Sequence, residues 1–327
     1  MNPTRREILQ LIAAGSAAWS APGLVRAQGG WPKAPIRLVV PFTAGSGTDI
    51  VGRTVGERLE KSLGQPVVID NKPGAGGTLG AAAVASAAPD GYTLLIHSAG
   101  HVANAALYPA LKYDTQKDFT PVTMLATLPN VLVTSPSKGF KSIQDLVQKV
   151  KAEPSTFTYA SAGNGSATHI NAEKFRIAAG LRATHVPYRG TPEALTDVMG
   201  GRVDWFFAPL VSALPLINDG KLVALAVGSP KRSTQLPQVP TTLEAGYPGS
   251  DYTFWVGLFA PAKTPPDVVE RLNTETVRVL QMPEVKSRLE KLGADVAPMA
   301  QPQFAEFVRD EIIATGALIK QAGIRME

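Results

Sequence analysis

No cysteine occurs in this sequence of 327 residues, which excludes disulfide bonds, thiolate catalysis and cysteine-ligated metal sites. Long apolar runs are also missing, since no segment after the N-terminus approaches the roughly 20 apolar residues that a membrane-spanning helix needs. Lysine and arginine form no run and alternate with acidic residues, so the net charge of +5 does not indicate a nucleic-acid partner. The fold must therefore be stabilised by its hydrophobic core.

Sequence motifs of catalysis and cofactor binding are equally absent. Gly45 and Gly47 begin a dinucleotide fingerprint, but Ile50 stands where its third glycine belongs. The sequence has no Gly-Lys-Ser/Thr phosphate loop and no Gly-x-Ser-x-Gly nucleophile elbow. His97 and His101 are four residues apart, yet zinc needs more ligands than these two. We therefore expect no cofactor, no metal site and no enzymatic activity.

The N-terminus has the pattern of an export signal. Arg5 and Arg6 precede an apolar stretch from Ile8 to Trp19, and small residues around Ala27 resemble a cleavage site. We predict twin-arginine export with cleavage near Ala27, which makes residues 1–27 the signal; the general secretion route is the alternative. Cleavage removes three arginines and one glutamate, so the net charge falls from +5 to +3. The remaining chain is expected in the periplasm.

Two glycine-rich segments indicate what this protein binds. Residues 41–49 (PFTAGSGTD) and residues 160–169 (ASAGNGSATH) each follow a β-type run and lead into a helix-type pattern. A glycine loop at a helix start leaves backbone N–H groups free, and these groups together with the helix dipole attract an anion. Both segments contain several hydroxyl side chains, and neither contains lysine or arginine. This composition predicts reversible binding of a small carboxylate by neutral donors.

Strand-like and helix-like segments alternate along the chain, which is typical of an α/β fold with mostly parallel sheets. About 300 residues exceed what one core usually organises, so we expect two lobes. The extended run at 124–135 and the strand at 222–227 are the expected hinge crossings. We predict that residues 28–133 and 226–327 form the first lobe and residues 134–225 the second. The two glycine-rich segments then lie on opposite walls of an interlobe cleft, beyond the carboxyl ends of strands.

An ordered series of motifs resembles one protein family. Residues 41–50, 71–77, 88–95, 159–166 and 185–190 (PFTAGSGTDI, NKPGAGG, APDGYTLL, YASAGNGS and HVPYRG) are similar to the substrate-binding receptors of tripartite tricarboxylate transporters, also called Bug receptors. The resemblance covers nearly all of the chain after the export signal. It implies a two-lobed, type II-like Venus-flytrap fold that captures an organic acid and delivers it to membrane permease subunits. We expect the receptor to be a monomer.

The resemblance also implies which residues contact the ligand. They are Phe42, Gly45, Ser46, Gly47, Thr48 and Asp49 in the first segment, Ser161, Ala162, Gly163, Gly165 and Thr168 in the second, and Ser98 and Ala208 elsewhere. The role of Asp49 is open. A carboxylate in an anion site repels the ligand unless a donor or water intervenes, and an acidic residue in the first turn of a helix also has a structural use.

One segment departs from the family pattern. Many members have a polar pair, often Asp-Asn, after the strand that corresponds to residues 203–207, whereas Ala208 and Pro209 follow it here. This wall then has no side chain that pairs an ammonium or a carboxylate, and Phe206 or Phe207 would favour an apolar ligand if either faces the cleft. We expect an aromatic acid or medium-chain diacid, and weak binding of citrate, aspartate and glutamate. A sensory receptor and a secreted enzyme acting on a carboxylated substrate are the alternatives.

Overall fold

The computed structural model describes residues 30–154 and 156–324, so the predicted export signal lies outside the described residues. The strands are β1 (Ile36–Val40), β2 (Val67–Asn71), β3 (Thr93–Ser98), β4 (Phe119–Leu128), β5 (Asn130–Thr134), β6 (Thr158–Ser161), β7 (Thr184–Pro187), β8 (Trp205–Pro209), β9 (Val223–Val227), β10 (Phe254–Pro261) and β11 (Asp295–Val296). The helices are α1 (Gly47–Leu63), α2 (Thr78–Ala85), α3 (Gly100–Leu107), α4 (Ile143–Ala152), α5 (Ala167–Ala178), α6 (Thr191–Met199), α7 (Leu210–Asn218), α8 (Pro266–Leu280), α9 (Pro283–Glu290) and α10 (Gln301–Ala322). None of the helices in this described part is long and apolar enough to cross a membrane.

The strands form two separate sheets, one in each lobe. The first has the order β11-β4-β10-β3-β1-β2 and the second the order β7-β6-β8-β5-β9. In the first sheet β10 is antiparallel to both of its neighbours, and in the second sheet β5 is antiparallel to both of its neighbours. The sheets are therefore mixed rather than simply parallel. The reason is that β5 and β10 enter from the other lobe, and so begin at the edge where most of the remaining strands end.

The first crossing between the lobes lies at Pro129. Strand β4 ends in the first sheet at Leu128, and β5 begins in the second sheet at Asn130. This position falls inside the run that we predicted to be a crossing, and places residues 130–133 in the second lobe rather than the first.

The return crossing differs from the prediction. Strand β9 pairs with β5 along its length, so residues 223–227 belong to the second sheet, and this includes residues 226 and 227, which we assigned to the first lobe. Tyr247 still packs against Phe175 in the core of the second lobe, and the chain enters the first sheet at Phe254. The five apolar residues of β9 suit either sheet, and for that reason the hydropathy pattern does not identify the sheet that they join.

Helix α1 shows how sequence spacing positions the cleft. Val51, Val55 and Leu59 recur at helical spacing and are buried in the core of the first lobe. The helix ends at Gly64, whose φ of 68° is left-handed and whose N–H donates to the Glu60 carbonyl. Because this buried face holds α1 against the sheet, the N-terminus of α1 is fixed at the carboxyl end of β1.

Candidate ligand site between the lobes

The first glycine-rich segment is shaped by Asp49. This side chain is 2% exposed, and its carboxylate accepts hydrogen bonds from Gly45 N (2.8 Å), Arg53 Nε (2.9 Å) and Asn71 Nδ2 (2.8 Å). Both carboxylate oxygens are therefore engaged by donors of the protein itself. The segment turns at Gly45, whose φ of 85° suits glycine, and α1 begins after Ser46. These contacts support the structural alternative for Asp49.

The second segment is shaped mainly by hydroxyl groups. Ser166 caps α5 by accepting a hydrogen bond from His169 N at 3.3 Å. The Thr168 hydroxyl accepts one from Ala162 N at 2.9 Å, and Ser161 Oγ accepts one from Gly163 N at 3.0 Å. The hydroxyls of this segment thus serve first to fix its own backbone.

Two stacked histidines lie behind the second segment. The rings of His169 and His185 are 4.1 Å apart between centroids, and His169 Nδ1 accepts a hydrogen bond from Gly165 N at 3.2 Å. His185 Nε2 lies 2.7 Å from Ser161 Oγ. Burial lowers the pKa of His169 to about 4 and that of His185 to about 3. Both rings are consequently neutral near pH 7 and act as supports of the loop.

The two segments meet at a small cavity between the lobes. Its volume is about 10 Å³, close to the space of one water molecule. The lining residues are Phe42, Ser46, Gly47, Thr48, Ser98, Ala162, Ser166, Ala167, Thr168, Thr191, Pro209 and Phe254. The N-termini of α1 and α5 therefore face one space from opposite lobes.

Direct hydrogen bonds join the lobes around this cavity. These hydrogen bonds run from Thr43 Oγ1 to Glu193 Oε2 (2.9 Å), from Thr191 N to Ser46 Oγ (3.2 Å), from Ser212 Oγ to Gly45 O (3.0 Å) and from Tyr108 OH to Asn164 O (2.9 Å). An organic acid is larger than the cavity, so the lobes must separate for one to enter.

The structure brings some of the predicted site residues to the cavity and leaves others outside it. Those that line it are Phe42, Ser46, Gly47, Thr48, Ser98, Ala162 and Thr168. Those that do not line it are Gly45, Asp49, Ser161, Gly163, Gly165 and Ala208. Among the latter, Asp49 and Ser161 bond to neighbouring loop atoms, as described above. Gly163 and Gly165 instead pack against the first lobe, near Gly76 and Asn104.

Of the two wall residues Ala208 and Pro209, only Pro209 lines the cavity. Strand alternation turns Ala208 and Phe206 into one face of the second lobe's core and Phe207 into the other, and all three are fully buried. Pro209, at the end of β8, lines the cavity instead. The apolar contribution to the site therefore comes from Phe42, Pro209 and Phe254 rather than from the pair Phe206 and Phe207.

Five lining residues are not among the contacts that the resemblance implied. They are Ser166, Ala167, Thr191, Pro209 and Phe254. Ser166 and Ala167 lie within the second glycine-rich segment, and Pro209 belongs to the wall that we assigned to the cleft from the sequence. Ser166 occupies the same position before α5 that Ser46 occupies before α1, so the equivalence of the two segments is a signal that predicts it. Phe254 carries no such signal, because it reaches the cavity from a strand that is remote in sequence.

His97 and His101 lie side by side in the interior of the first lobe. Both are fully buried, their ring centroids are 4.9 Å apart, and burial lowers the pKa of His97 to about 3. Within residues 30–154 and 156–324, no group of three or more histidine, aspartate or glutamate side chains is placed to hold a metal ion.

Comparison with known proteins identifies the family. A family model described as "Tripartite tricarboxylate transporter family receptor" matches residues 51–324. The chain belongs to this family. The family resemblance inferred from the motifs is therefore confirmed.

Individual relatives match over most of their length. The protein BugT of Bordetella pertussis is 35% identical over 299 residues, which cover 91% of this chain and 92% of BugT. A Rhodopseudomonas palustris protein solved with adipate is 35% identical, with a TM-score of 0.87 over 90% of this chain and 99% of that one. MatC from Rhodopseudomonas palustris, solved with bound malate, is 37% identical, with a TM-score of 0.85 over 88% of this chain and 100% of MatC. The two-lobed α/β periplasmic-binding fold is thus also confirmed.

Proposed function

We propose that this receptor captures an organic acid between its lobes and delivers it to the membrane permease of a tripartite tricarboxylate transporter. The observation that carries the proposal is the convergence of two helix N-termini, from α1 and α5, on one cavity. The twelve lining residues include no cationic side chain. An anion would therefore be bound by neutral dipoles and released again without chemistry.

The donors for one carboxylate are available in the first segment. The first N–H groups of a helix have no intrahelical acceptor, and in α1 these include the N–H groups of Gly47 and Thr48. The Thr48 hydroxyl makes no hydrogen bond with another described residue, although the side chain is 2% exposed. Ala167 and Thr168 offer the equivalent N–H groups on the opposite wall. Because one wall belongs to each lobe, a bound acid would hold the two lobes together.

The remaining walls favour a ligand with an apolar middle. Phe42, Pro209 and Phe254 contribute carbon surface, and Pro209 has no N–H to donate. Burying an unpaired polar group against them would be costly. Relatives solved with adipate and with malate bind dicarboxylic acids. We propose a medium-chain diacid or an aromatic acid for this protein.

A calorimetric panel tests the ligand class. Adipate and benzoate should bind with about micromolar affinity, roughly −8 kcal/mol, whereas citrate, aspartate and glutamate should bind at least about tenfold more weakly. Raising the salt concentration should change the adipate affinity little, because neutral dipoles are screened less than paired charges. Tightest binding to citrate or to an amino acid would overturn the ligand class, and binding of none of these acids would overturn the carboxylate receptor.

Transport and sensing predict different phenotypes from the same binding site. A transport receptor should be needed for uptake of the labelled acid that binds in the panel, so a deletion strain should lose that uptake. Retained uptake with loss of an acid-induced transcriptional response would favour the sensory alternative.

A further inference from the structure

The second lobe lies directly against the first glycine-rich segment. Residues 190–193 (GTPE) form the start of α6, and we refer to them as the α6 turn. They contact residues 43–46 (TAGS) of the first segment. Thr191 N donates to Ser46 Oγ at 3.2 Å, and an added Cβ on Gly190 would lie only 2.9 Å from the same oxygen. The α6 turn therefore fits closely onto the first segment.

The α6 turn also brings a carboxylate to this segment. Glu193 Oε2 accepts a hydrogen bond from Thr43 Oγ1 at 2.9 Å. Glu193 makes no other hydrogen bond and no ion pair with the residues that the structure describes. A carboxylate of the protein thus occupies a hydroxyl donor in the loop that we propose for binding the carboxylate of the ligand. Glu193 resembles the ligand both in its charge and in the group that it presents.

The seated α6 turn is incompatible with a bound acid. Ser46 and Thr191 line the ligand cavity from opposite lobes and are hydrogen-bonded to each other. The cavity has a volume of about 10 Å³, so an acid enters only when these two walls move apart. That movement breaks the bond between Ser46 and Thr191. It also separates Thr43 from Glu193, because this second bond joins the same two segments.

We propose that Glu193 is an internal competitor of the acid, since its carboxylate holds the α6 turn on the first segment of the empty receptor and is displaced when an acid binds. This inference rests on the proposed capture of an acid between the lobes. Molecules with a seated turn do not bind acid, so the apparent affinity is reduced to the fraction whose turn is free. Breaking the bond to Glu193 raises that fraction. The gain in affinity is limited to its reciprocal, about fivefold if the turn is free in about a fifth of the molecules.

Two substitutions break the same hydrogen bond from its two sides. Thr43→Val and Glu193→Ala should each bind adipate about two- to fivefold more tightly than wild type, with the gain in the association rate constant. Thr43→Val keeps the negative charge and the first turn of α6, so its gain does not come from weaker repulsion of the acid. The double variant should bind no more tightly than the better single variant, because both remove one interaction. Glu153→Ala, which removes an exposed acid of the same lobe outside the α6 turn, should bind as wild type does.

Interlobe distances measured without acid test the seated turn itself. The absence of cysteine allows Lys61→Cys and Lys151→Cys, one in each lobe and both exposed, to be spin-labelled as the only thiols. In this labelled background, Thr43→Val and Glu193→Ala should move part of the population from the wild-type distance to a second distance. Glu153→Ala should retain the wild-type distribution.

Three results would overturn the inference. Weaker adipate binding by both single variants would place the contact between Thr43 and Glu193 in the acid-bound arrangement. Unchanged distances in both variants would show that this bond does not hold the turn. Equal gains for Glu193→Ala and Glu193→Gln, with none for Thr43→Val, would assign the effect to charge repulsion. Failure of the wild type and every variant to bind adipate would instead count against the proposed function, while the acid-free distances would still decide the role of Glu193.

Discussion

The two ligand segments share one backbone plan but differ in what supports it. Each runs from a strand through glycines to a serine that precedes a helix. The first is supported by an ionised network, in which Asp49 joins the loop to Arg53 and Asn71. The second is supported by hydroxyls and by the stacked rings of His169 and His185.

This difference separates the groups that bind from the groups that support. Both segments present neutral N–H groups to the cavity, so a carboxylate meets the same chemistry on either wall. Behind those donors, the first support rests on hydrogen bonds to the Asp49 carboxylate, and the second rests on an uncharged His169 ring. The segments should therefore respond differently to substitution, and we expect the second segment to respond to pH.

The largest effect is expected for Asp49→Ala. Removing this buried acceptor leaves the Gly45 N–H and the Asn71 amide without their partner, and should lower the free energy of unfolding by about 2–3 kcal/mol. Adipate affinity should fall at least about tenfold because the first segment loses its shape. Chemical denaturation and calorimetry measure the two quantities. The control is Asp219→Ala, which breaks an exposed pair with Lys221 and should change stability by less than about 0.5 kcal/mol.

The outcome for Asp49→Ala also resolves its role. A protein that unfolds like wild type but loses adipate binding would mean that the carboxylate contacts the ligand rather than supporting the loop. Loss of both stability and adipate binding agrees with a hydrogen-bond network in which the Asp49 carboxylate supports the first segment.

Local features of the site were predictable from sequence, and long-range ones were not. Glycine loops and helix starts depend on neighbouring residues, and Ser46, Gly47 and Thr48, which were selected from such a local pattern, all line the cavity. Whether Ala208 reaches the cavity depends on which face of β8 its side chain joins, and a single residue of register reverses that face. Phe254 lines the cavity only because β10 packs between β3 and β4, which no local pattern encodes.

The fold also has features that local sequence predicts and features that depend on pairing between distant strands. Alternating strands and helices predicted an α/β fold, and the length of the chain predicted two lobes. The return crossing was misplaced because β9 is a short apolar strand, and the sheet that it joins depends on pairing with β5. Hydrogen-bond pairing between distant strands is a property of the folded chain, and the hydropathy of a strand does not identify its partner.

The second-largest effect is expected for the pH dependence of the free energy of unfolding, which we assign to His169 of the second segment. Burial lowers the pKa of His169 from its ordinary value of 6.5 to about 4, so at pH 5 the unfolded chain binds a proton here that the folded chain does not. Stability is consequently lost as the pH falls below about 6.5, and the loss levels off below about 4. Between pH 7 and pH 5 this histidine should lower the free energy of unfolding by about 2 kcal/mol.

His169→Gln measures that contribution. Glutamine can still accept a hydrogen bond from the Gly165 N–H, but it does not titrate. Denaturant unfolding at the two pH values should therefore show a smaller loss for the variant than for wild type, by about 2 kcal/mol. Lys151→Gln, a surface change in the same lobe, should retain the wild-type loss. An identical loss in wild type and His169→Gln would show that this ring does not carry the pH dependence.

The smallest effects are expected from valine substitutions of the equivalent threonines in the two segments, Thr48 and Thr168. The Thr48 hydroxyl has no hydrogen-bond partner among the described residues, whereas Thr168 Oγ1 accepts from Ala162 N at 2.9 Å. Thr48→Val should therefore weaken adipate binding by about 1–2 kcal/mol, since a carboxylate oxygen loses a donor, and leave the free energy of unfolding within about 0.5 kcal/mol of wild type. Thr168→Val should lower both quantities by about 1 kcal/mol, because Ala162 N loses its acceptor. Arg189→Ala, an exposed cation that does not line the cavity, should bind as wild type does. If both valine variants bind normally while Arg189→Ala abolishes binding, the acid is held by a charge pair and the neutral-donor hypothesis is wrong.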